Sequence, residues 1–583
     1  IWTVEIIPAE IRPPARSVAG ASGNRIRIGA GRITNGGDET DLVVAFNEQV
    51  LLGRVRDDEL KRGCTILLES MWRTAKDQQI AASYAEAYDK LVAAGYKVIE
   101  VPMERECLAL VNDARRGKNM FALGMLCSIY SFELELAREQ IAITFGKKEQ
   151  SVIDANVKLL DAGHAWAEAN LDFKYRIPAT RSTVPQIVVN GNTALALGVL
   201  ASGMEICAMY PITPATSASH YLSDVFEKMG GMVHQAEDEI AACAFAIGAS
   251  YAGKCAVTIT SGPGYSLKQE GIGLAVMGEI PLVVVNVQRG GPSTGQPTKA
   301  EQGDLLSAMF GSHGDAPKVV MAASTIEDCF YSIITARKIA ETFNMVVVVL
   351  TDAGLATSQQ PFPRPQFSES WLAPPIDQTP VPKGATPYDW DKTTGLAQRF
   401  VPGQPGGMHT LTGLAHDRYG HVAYDPYTNE EGLRMRSLKL AALQKTLKAP
   451  PVFGKESGDL LVIGWGSTQG AIEESVETLN AEGFKVSSMH LRFLQPLPPG
   501  IKEAMRRFKQ VMTIESNWSD SFRDGIIDED NRRYAALAML LRARYLVDVD
   551  CWTEVRGQPI KPGTMCRVIR EKLNLRKRKA AKS

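Results

Sequence analysis

The sequence predicts an α/β protein with doubly wound parallel sheets. Short β-branched segments alternate with longer helical patterns, which is typical of parallel sheets covered by helices. The strongest segments, residues 281–287 and 346–350, carry no charge and resemble strands buried on both faces. Because 583 residues exceed what one hydrophobic core holds, we expect about three domains.

Residues 1–183 are predicted to form the first domain. Its strand-like apolar segments lie at residues 41–46, 65–68 and 96–101. Helical patterns lie at residues 79–94 and dominate residues 108–172. This alternation predicts one parallel layer followed by a helical region.

Residues 184–360 show the regular alternation of a doubly wound sheet. Predicted strands lie at residues 187–189, immediately before residue 210, and at residues 232–235, 256–260, 281–287 and 346–350. Predicted helices lie at residues 193–201, 215–229 and 238–252. Ligands of such folds bind at the carboxyl ends of the strands, so side chains that follow a strand are the candidates for a site.

Residues 361–455 are predicted to be an ordered linker. Residues 361–405 contain 10 of the 31 prolines, a density that excludes a packed helix or a central strand. A further α/β unit is predicted for residues 456–575, beginning with the apolar segment 459–464. The basic residues of 576–583 are predicted to form a solvated tail.

Composition excludes several classes of function. The chain has 64 Lys and Arg against 65 Asp and Glu, so we expect no binding to nucleic acid or to membranes. No apolar run reaches the roughly 20 residues that cross a bilayer, and the first residues lack a secretory pattern, so we expect a cytoplasmic protein. The nine cysteines form no Cys-x-x-Cys pair, and each is predicted to be a small buried residue rather than a ligand of a metal or cluster.

A glycine loop, Gly-Trp-Gly-Ser-Thr-Gln-Gly at residues 464–470, lies between a predicted strand and a helix. Such a loop invites a dinucleotide-binding interpretation, but its glycine spacing is one residue longer than the usual pattern. The following strand, residues 485–490, ends without the acidic residue that binds an adenosine ribose. We therefore favour a tight turn.

Three consecutive carboxylates, Glu237, Asp238 and Glu239, precede the apolar helical segment 240–249. Carboxylates at a helix start complement the helix dipole, which would be a sufficient reason for them in isolation. A carboxylate buried against the apolar segment, however, needs a partner that shares a proton. The aminopyrimidine ring of thiamine diphosphate is such a partner, because a carboxylate on its ring nitrogen favours the imino form that removes the thiazolium proton.

Further blocks of sequence extend this pattern: Tyr-Pro-Ile-Thr-Pro (210–214), Glu-Asp-Glu-Ile-Ala-Ala (237–242), Thr-Ser-Gly-Pro-Gly (260–264), Gln-Arg-Gly-Gly-Pro-Ser-Thr-Gly (288–295), His-Gly-Asp (313–315), Thr-Gly-Leu-Ala-His-Asp (412–417) and Gly-Trp-Gly-Ser-Thr (464–468). Together they resemble the α subunits of 2-oxoacid:ferredoxin oxidoreductases, in the 2-oxoglutarate branch with a fused N-terminal γ domain. The resemblance covers residues 187–517. It implies a coenzyme A-associated γ domain at 1–183, a transketolase-like pyrimidine-binding domain at 184–360, an active-site loop within 361–455, and a transketolase C-terminal-like domain at 456–575.

The resemblance is weaker near both ends of the chain. Residues 8–12 and 41–47 look like the γ domain, but its opening glycine loop is not in this sequence. Residues 518–531 depart from the family pattern, which usually has Gly-Gln after an Asn at this place.

The resemblance also implies roles for single residues. Glu239 aligns with the carboxylate that activates the aminopyrimidine, and Glu237 is its rival in register. Thr213 would point its hydroxyl at the substrate and the thiazolium, and Arg289 would bind a ligand carboxylate. The remaining assignments are cofactor binding by Tyr210, Pro211, Ile212, Ser261 and Gly262, and substrate binding by Thr298, His416 and Asp417.

Structural alternatives exist for these residues. Thr213 fits an N-cap or a turn, and Arg289 fits a structural salt bridge. His416 and His421 are five positions apart, which does not align two metal ligands on one helix face, so no metal site is predicted.

The motifs supply only half of a thiamine site. No Gly-Asp-Gly, the motif that commonly starts the site for Mg²⁺ and the diphosphate, occurs in the sequence. By the resemblance, a separate β subunit holds the diphosphate, its Mg²⁺ and a [4Fe–4S] cluster, so the two chains share the cofactor. Coenzyme A is then a cosubstrate, ferredoxin is the electron acceptor, and the assembly is a dimer of αβ units.

The function implied is reversible oxidative decarboxylation of 2-oxoglutarate to succinyl-CoA and CO₂, whose carboxylating direction serves the reductive TCA cycle. A pyruvate or broad-range 2-oxoacid enzyme is the alternative within the class, because few pocket residues decide substrate size. Two alternatives lie outside this class of enzyme. One is a transketolase-like enzyme, which the missing diphosphate motif disfavours, and the other is a non-catalytic nucleotide-binding scaffold that uses the loop at Gly464.

Overall fold

The computed structural model describes residues 1–6, 22–113, 117–178, 182–372, 375 and 377–580, with side chains as far as residue 574. The strands are β1 (Trp2–Ile6), β2 (Gly23–Arg27), β3 (Thr40–Ala45), β4 (Leu60–Glu69), β5 (Lys97–Val101), β6 (Gln186–Asn190), β7 (Ile206–Met209), β8 (Met232–Gln235), β9 (Ala256–Thr260), β10 (Leu282–Gln288), β11 (Val319–Ala322), β12 (Val346–Asp352), β13 (Gln359–Pro363), β14 (Val452–Phe453), β15 (Leu460–Trp465), β16 (Val486–Leu491), β17 (Phe493–Gln495), β18 (Val511–Glu515) and β19 (Val549–Thr553).

The helices are α1 (Glu48–Arg56), α2 (Gln78–Ala93), α3 (Met103–Leu108), α4 (Lys118–Ile129), α5 (Leu134–Thr144), α6 (Gln150–Asn170), α7 (Gly191–Ala201), α8 (Thr216–Val225), α9 (Glu239–Tyr251), α10 (Gly262–Leu267), α11 (Gln269–Met277), α12 (Leu305–Phe310), α13 (Ile326–Phe343), α14 (Ala353–Thr357), α15 (Pro426–Thr446), α16 (Gln469–Ala481), α17 (Ile501–Arg506), α18 (Ala536–Tyr545) and α19 (Pro562–Ala580). Residues 8–12, which the sequence comparison assigned to a γ domain, lie outside the described residues. Of the predicted basic tail, residues 576–580 belong to α19.

A seven-stranded sheet forms the centre of the fold, in the order β17-β11-β12-β10-β9-β7-β8. Every pairing in it is parallel except that of β17 with β11. Alternate side chains of β10 serve two separate cores: Val283 and Val285 pack with α7 and α13, whereas Val284 packs with α9 and α11. The predicted doubly wound arrangement is therefore confirmed.

The N-terminal unit contains a parallel three-stranded sheet, β3-β4-β5, with helices on both faces. Leu67 of β4 packs with α4 and α6, while its neighbours Ile66 and Leu68 pack with α2. The last unit is a five-stranded sheet in the order β14-β16-β15-β18-β19, which is parallel apart from β14. Both agree with the α/β units predicted from the sequence.

A four-stranded antiparallel sheet, β2-β1-β13-β6, corrects two predictions. The segment 187–189 lies in β6, which pairs with β13 and not with the central parallel sheet. The prolines 361 and 363 lie in β13, a strand between β1 and β6, although their density was predicted to exclude a central strand. The reason is that β13 meets β1 only at Gln359, so the prolines interrupt no ladder with β1.

This sheet joins strands from both sides of residue 183. Strands β1 and β2 precede residue 183 and strands β6 and β13 follow it, so the sheet belongs to no single predicted domain. The domain boundaries predicted from the sequence stay a prediction.

Helix α15, 21 residues long, was not predicted within the linker. The Asp425 side chain accepts a hydrogen bond from the Thr428 N–H, and Pro426 occupies the first turn. This Asp-Pro start is a common helix signature, so the signal was present in the sequence but was masked by the proline-rich stretch before it.

Hydrogen bonds join the central sheet to the last unit. The Gln302 side chain donates to the Trp465 carbonyl at 2.8 Å and accepts from the Ser516 N–H at 3.0 Å. Its main-chain N–H donates to the Ser516 carbonyl at 2.7 Å. Next to it, the buried carboxylate of Glu515 accepts from the Trp465 indole and from the first N–H groups of α18. The two units are therefore fixed to each other beside the carboxyl end of β10.

All nine cysteines are buried, as predicted. Burial raises the pKa of Cys207 to about 12 and that of Cys243 to about 11, which keeps both as thiols near neutral pH. Within the described ranges, no helix combines the length and apolar character that a membrane span requires.

Candidate functional site

The predicted site residues follow four strands that are neighbours in the central sheet. Thr213 follows β7, Glu239 follows β8, Ser261 follows β9 and Arg289 follows β10. These strands are adjacent and parallel in the order β10-β9-β7-β8, so their carboxyl ends meet along one edge. The fold thus brings together residues that are up to 76 positions apart, as Arg289 and Thr213 are.

Glu239 begins helix α9 and is 7% exposed. The two preceding carboxylates differ from it. Asp238 is the N-cap, whose side chain accepts a hydrogen bond from the Ala241 N–H at 2.7 Å, and Glu237 is exposed. Asp238 therefore accounts for the capping interaction, and the register favours Glu239 over Glu237 as the buried carboxylate.

The Glu239 side chain lies directly against Gly264 in helix α10. A Cβ at position 264 would be 2.6 Å from Glu239 Cγ, 2.8 Å from Glu239 Oε1 and 2.2 Å from Thr260 Oγ1. Only glycine permits this approach. No side chain or main-chain N–H in the described part of the protein bonds the Glu239 carboxylate, so its oxygens are available to a ligand.

Arg289 is 8% exposed, and its guanidinium joins two loops at this edge. Nη1 donates to the Thr213 carbonyl at 2.8 Å and Nη2 donates to the Thr294 carbonyl at 3.3 Å, whereas Nε is buried without an acceptor among the described residues. Burial lowers the pKa of Arg289, and the nearby Asp304 and Glu239 oppose that shift. No carboxylate of the described chain lies within ion-pair distance, so the structural salt bridge considered from the sequence is not observed.

Thr213 is exposed, and helix α8 starts only at Thr216 with Ala215 as its N-cap residue. Thr213 is therefore not the N-cap. Tyr210, 38% exposed, begins the same turn, and Pro211 and Ile212 are half-buried in it. Thr298 is half-buried in the loop after β10, on the same edge of the sheet.

Ser261 and Gly262 form the turn between β9 and α10. Ser261 is fully buried, and its hydroxyl has no hydrogen-bond partner among the described residues. Gly262 lies against Asp304, because a Cβ at position 262 would be 2.9 Å from Asp304 Oδ2. Asp304 accepts from Asn286 Nδ2 at 2.9 Å, and burial raises its pKa.

Asp304 was missed by the sequence analysis. Its neighbours in the chain, Gln302 and Gly303, form no recognised motif, and only the folding of the loop after β10 places its carboxylate beside Gly262. No local signal could have identified it.

His416 and Asp417 are not brought to this edge. The His416 ring packs on Tyr388, with ring centroids 4.1 Å apart, and Tyr388 lies near Gly278 just before β10 begins. Asp417 accepts from the Tyr419 and His421 N–H groups and so shapes a turn. Both residues lie at the opposite end of the sheet from Arg289, and their assignment to substrate binding stays a prediction.

The three glycines of the loop at 464–470 are each in close contact with other parts of the protein. A Cβ at Gly464 would be 2.4 Å from Ile472 Cδ1, one at Gly466 would be 2.5 Å from Gln302 Nε2, and one at Gly470 would be 2.4 Å from the Thr34 carbonyl oxygen. Protein atoms occupy the space around each glycine, which confirms the tight turn favoured from the sequence.

No group of three or more His, Cys, Asp and Glu side chains suited to a metal ion occurs among the described residues. The edge instead offers a buried carboxylate without a protein partner, a buried hydroxyl without a partner and a buried guanidinium. These groups fit a ring whose nitrogen shares a proton with the carboxylate, beside an anionic substrate, and the described residues include no cluster of carboxylates for the cation of a diphosphate.

Three family models match successive parts of the chain. The first, described as pyruvate flavodoxin/ferredoxin oxidoreductase, thiamine diP-binding, matches residues 197–433. The second, pyruvate ferredoxin/flavodoxin oxidoreductase, matches residues 14–166, and the third, pyruvate:ferredoxin oxidoreductase core domain II, matches residues 458–549.

Individual proteins match over most of the chain. The 2-oxoglutarate oxidoreductase subunit KorA of Mycobacterium tuberculosis is 36% identical over 97% of this chain and 86% of its own length. The 2-oxoacid:ferredoxin oxidoreductase 1 subunit alpha of Aeropyrum pernix is 32% identical over 70% of this chain and 65% of its own length. The solved structure of 2-oxoglutarate:ferredoxin oxidoreductase from Magnetococcus marinus, with 2-oxoglutarate, coenzyme A and succinyl-CoA bound, has a TM-score of 0.83 at 30% identity and covers 98% of this chain and 94% of that one.

The chain therefore belongs to the family of 2-oxoacid:ferredoxin oxidoreductases, and the resemblance stated from its motifs is confirmed. The buried carboxylate of Glu239 fits the thiamine-binding description of the model that covers it.

We expect Gly264→Ala to lower the midpoint of thermal unfolding. The added methyl group overlaps Thr260 and Glu239 in a buried place, and such overpacking costs about 1–3 kcal/mol. Gly248→Ala is the matched control, since it lies in α9 with no atom within 4 Å of its Cβ and should stabilise the helix by about 0.5–1 kcal/mol. A Gly264→Ala protein that melts no lower than wild type would contradict the tight contact with Glu239.

Proposed function

We propose that this chain is the α subunit of a 2-oxoglutarate:ferredoxin oxidoreductase. The observation that carries the proposal is the buried carboxylate of Glu239. It has no hydrogen-bond or ion-pair partner among the described residues, and it lies at the carboxyl edge of a sheet matched by a thiamine-binding family model. The match to a 2-oxoglutarate oxidoreductase subunit over 97% of the chain supports the substrate.

Thiamine diphosphate, when bound, supplies the nucleophilic carbon and the electron sink that decarboxylation of a 2-oxoacid requires. Glu239 would hold the aminopyrimidine ring through a hydrogen bond to its ring nitrogen, and Ser261 and the turn at residues 210–212 would hold the ring laterally. Because Glu239 is buried, water competes little for this hydrogen bond. The proton would therefore stay between the carboxylate and the ring nitrogen.

Thr213 and Arg289 would serve the substrate. The exposed Thr213 hydroxyl can donate to a keto or carboxylate oxygen, while the Arg289 guanidinium stabilises negative charge next to it. Arg289 already donates to two main-chain carbonyls, so its position is fixed before a ligand arrives, and its remaining N–H groups are those available to a carboxylate. Thr298, His416 and Asp417 are further candidates for substrate contacts.

In the proposed reaction, 2-oxoglutarate and coenzyme A give succinyl-CoA, CO₂ and one proton, and two electrons leave one at a time for ferredoxin. The electron path requires a cluster, and the diphosphate requires Mg²⁺. Neither fits the donor groups found at this edge, so we assign the diphosphate loop, Mg²⁺ and a [4Fe–4S] cluster to a β subunit. Coenzyme A is assigned to the N-terminal unit, residues 1–183, and the assembly to a dimer of αβ units.

A broad-range 2-oxoacid or pyruvate enzyme is the second candidate, supported by the Aeropyrum pernix relative, which is named for 2-oxoacids in general. An enzyme can distinguish 2-oxoglutarate from pyruvate by the distal carboxylate of 2-oxoglutarate. Binding that carboxylate requires a cationic side chain, whereas pyruvate has no such group. Two of the terminal donors of Arg289 are taken by main-chain carbonyls, so part of this recognition would come from elsewhere in the heteromer.

The substrate is tested by coenzyme A-dependent reduction of a viologen dye by the heteromer. We expect appreciable turnover with 2-oxoglutarate and little with pyruvate at equal concentration, because a pocket that pairs a carboxylate binds poorly an analogue lacking it. Omission of coenzyme A is the control. Equal kcat/KM values for the two acids would favour the broad-range alternative.

Glu239→Gln should abolish turnover while the protein keeps its fold. The amide cannot accept the proton that the carboxylate shares with the ring, and losing a proton-transfer group costs about 10²–10⁴-fold in rate. Glu237→Gln, which alters an exposed neighbour, is the matched control and should remain active. Thermal melting curves of both variants verify folding, and near-normal turnover of Glu239→Gln would refute its assigned role.

Purification of the tagged chain from its native cells tests whether the chain is an enzyme subunit or a nucleotide-binding scaffold. We expect a second, brown, cysteine-rich polypeptide to co-purify in equal molar amount, with the visible absorption of an iron–sulfur cluster. The pure chain expressed alone should be colourless. Recovery of the chain alone from native cells, with bound nucleotide, would favour the scaffold.

A further inference from the structure

Lys268 is a buried basic residue that the proposed chemistry does not use. It is the single residue between helices α10 and α11, and it is 1% exposed. Its Nζ donates to the main-chain carbonyl of Glu239 at 2.7 Å. No other hydrogen bond or ion pair of this amine is observed among the described residues.

Packing alone does not explain a lysine here. Burial lowers the pKa of Lys268, and the nearby Glu239 and Asp238 oppose that shift. Cys207 and Cys243 are both buried in this part of the fold. An amine taken out of water without a carboxylate partner is destabilising, whereas methionine would fill a similar volume without that penalty. The amine therefore needs a reason other than stability.

The other buried lysines differ in their partners. Lys439 forms an ion pair with Glu279, and Lys318 lies near the Met309 and Ala316 carbonyls and the Ser312 hydroxyl. Lys268 alone among these three contacts the residue that carries the site carboxylate.

We propose that Lys268 is a positioning residue for Glu239. By holding the carbonyl of the first residue of α9, its amine fixes the backbone from which the Glu239 side chain extends over Gly264. The carboxylate is then held from two directions, through its main chain by Lys268 and through its side chain by the contact with Gly264. Because Lys268 is buried, it acts through Glu239 and contacts neither substrate nor cofactor. The inference rests on the proposed thiamine-dependent function.

The test is Lys268→Met in the complete heteromer, with Lys318→Met as the matched control. We expect the Lys268→Met midpoint of thermal unfolding to equal or exceed that of wild type, since a buried polar group is replaced by an apolar one. We expect kcat with 2-oxoglutarate to fall by about 10- to 100-fold with little change in KM, because misplacement of a catalytic group by a fraction of an ångström impairs the chemical step. Calorimetric titration should show weaker binding of thiamine diphosphate. Lys318→Met should retain wild-type kcat and cofactor affinity.

Lys268→Gln supplies a second variant, in which an amide N–H can still donate to the Glu239 carbonyl. Its turnover should lie between those of Lys268→Met and wild type, and a turnover no higher than that of Lys268→Met would overturn the role assigned to the hydrogen bond. A Lys268→Met heteromer with wild-type kcat and cofactor affinity, or one that melts lower and loses activity only in proportion to the unfolded fraction, would overturn the proposal and leave Lys268 a structural residue. The wild-type assay is separate from these outcomes. Failure of wild type to turn over 2-oxoglutarate would refute the proposed function, whereas an active wild type together with an equally active Lys268→Met variant would refute only this inference.

Discussion

The close contact between the Glu239 side chain and Gly264 sets the geometry of the whole site. A carboxylate at the start of an apolar helix would normally turn toward water, but here helix α10 leaves room for it only because position 264 has no Cβ. Asp238 caps the helix in its place, and Lys268 holds its main chain. The carboxylate is thereby buried without a hydrogen bond or ion pair from the described residues, which leaves its oxygens free to bind a ligand.

The second constraint is the attachment of the loop after β10. Arg289 fixes the beginning of this loop to the turn after β7, and Gln302 fixes its end to the last unit through Trp465 and Ser516. A strand of the last unit, β17, also completes the edge of the central sheet. The position of Arg289 and of the loop after β10 thus depends on the docking of two α/β units. A change at Gln302 or Ser516 would therefore shift the loop that Arg289 begins.

Much of the fold followed from local pattern. The strands at 256–260 and 346–350 and the helix that begins after Asp238 agree with the structure to within two residues, because continuous apolar runs and a capping residue define them locally. The predictions that failed concern which strands pair with each other. The segment 187–189 has the composition of a parallel strand, yet β6 pairs antiparallel with β13, and nothing in its own residues states which strand it will meet. Prolines 361 and 363 are tolerated in β13 because its ladder with β1 ends before them.

The sequence by itself determined the class of fold and the family, and it predicted Glu239 as the site carboxylate, since each depends on residues that are near one another in the chain. Only the tertiary structure placed Gln302, Asp304 and Lys268 in contact with the elements of this edge and His416 at the far end of the sheet. Lys268 meets Glu239 across 29 positions and Gln302 meets Ser516 across 214. Contacts over such separations arise from the order of strands in the sheet and from the docking of separate units, which no local pattern records.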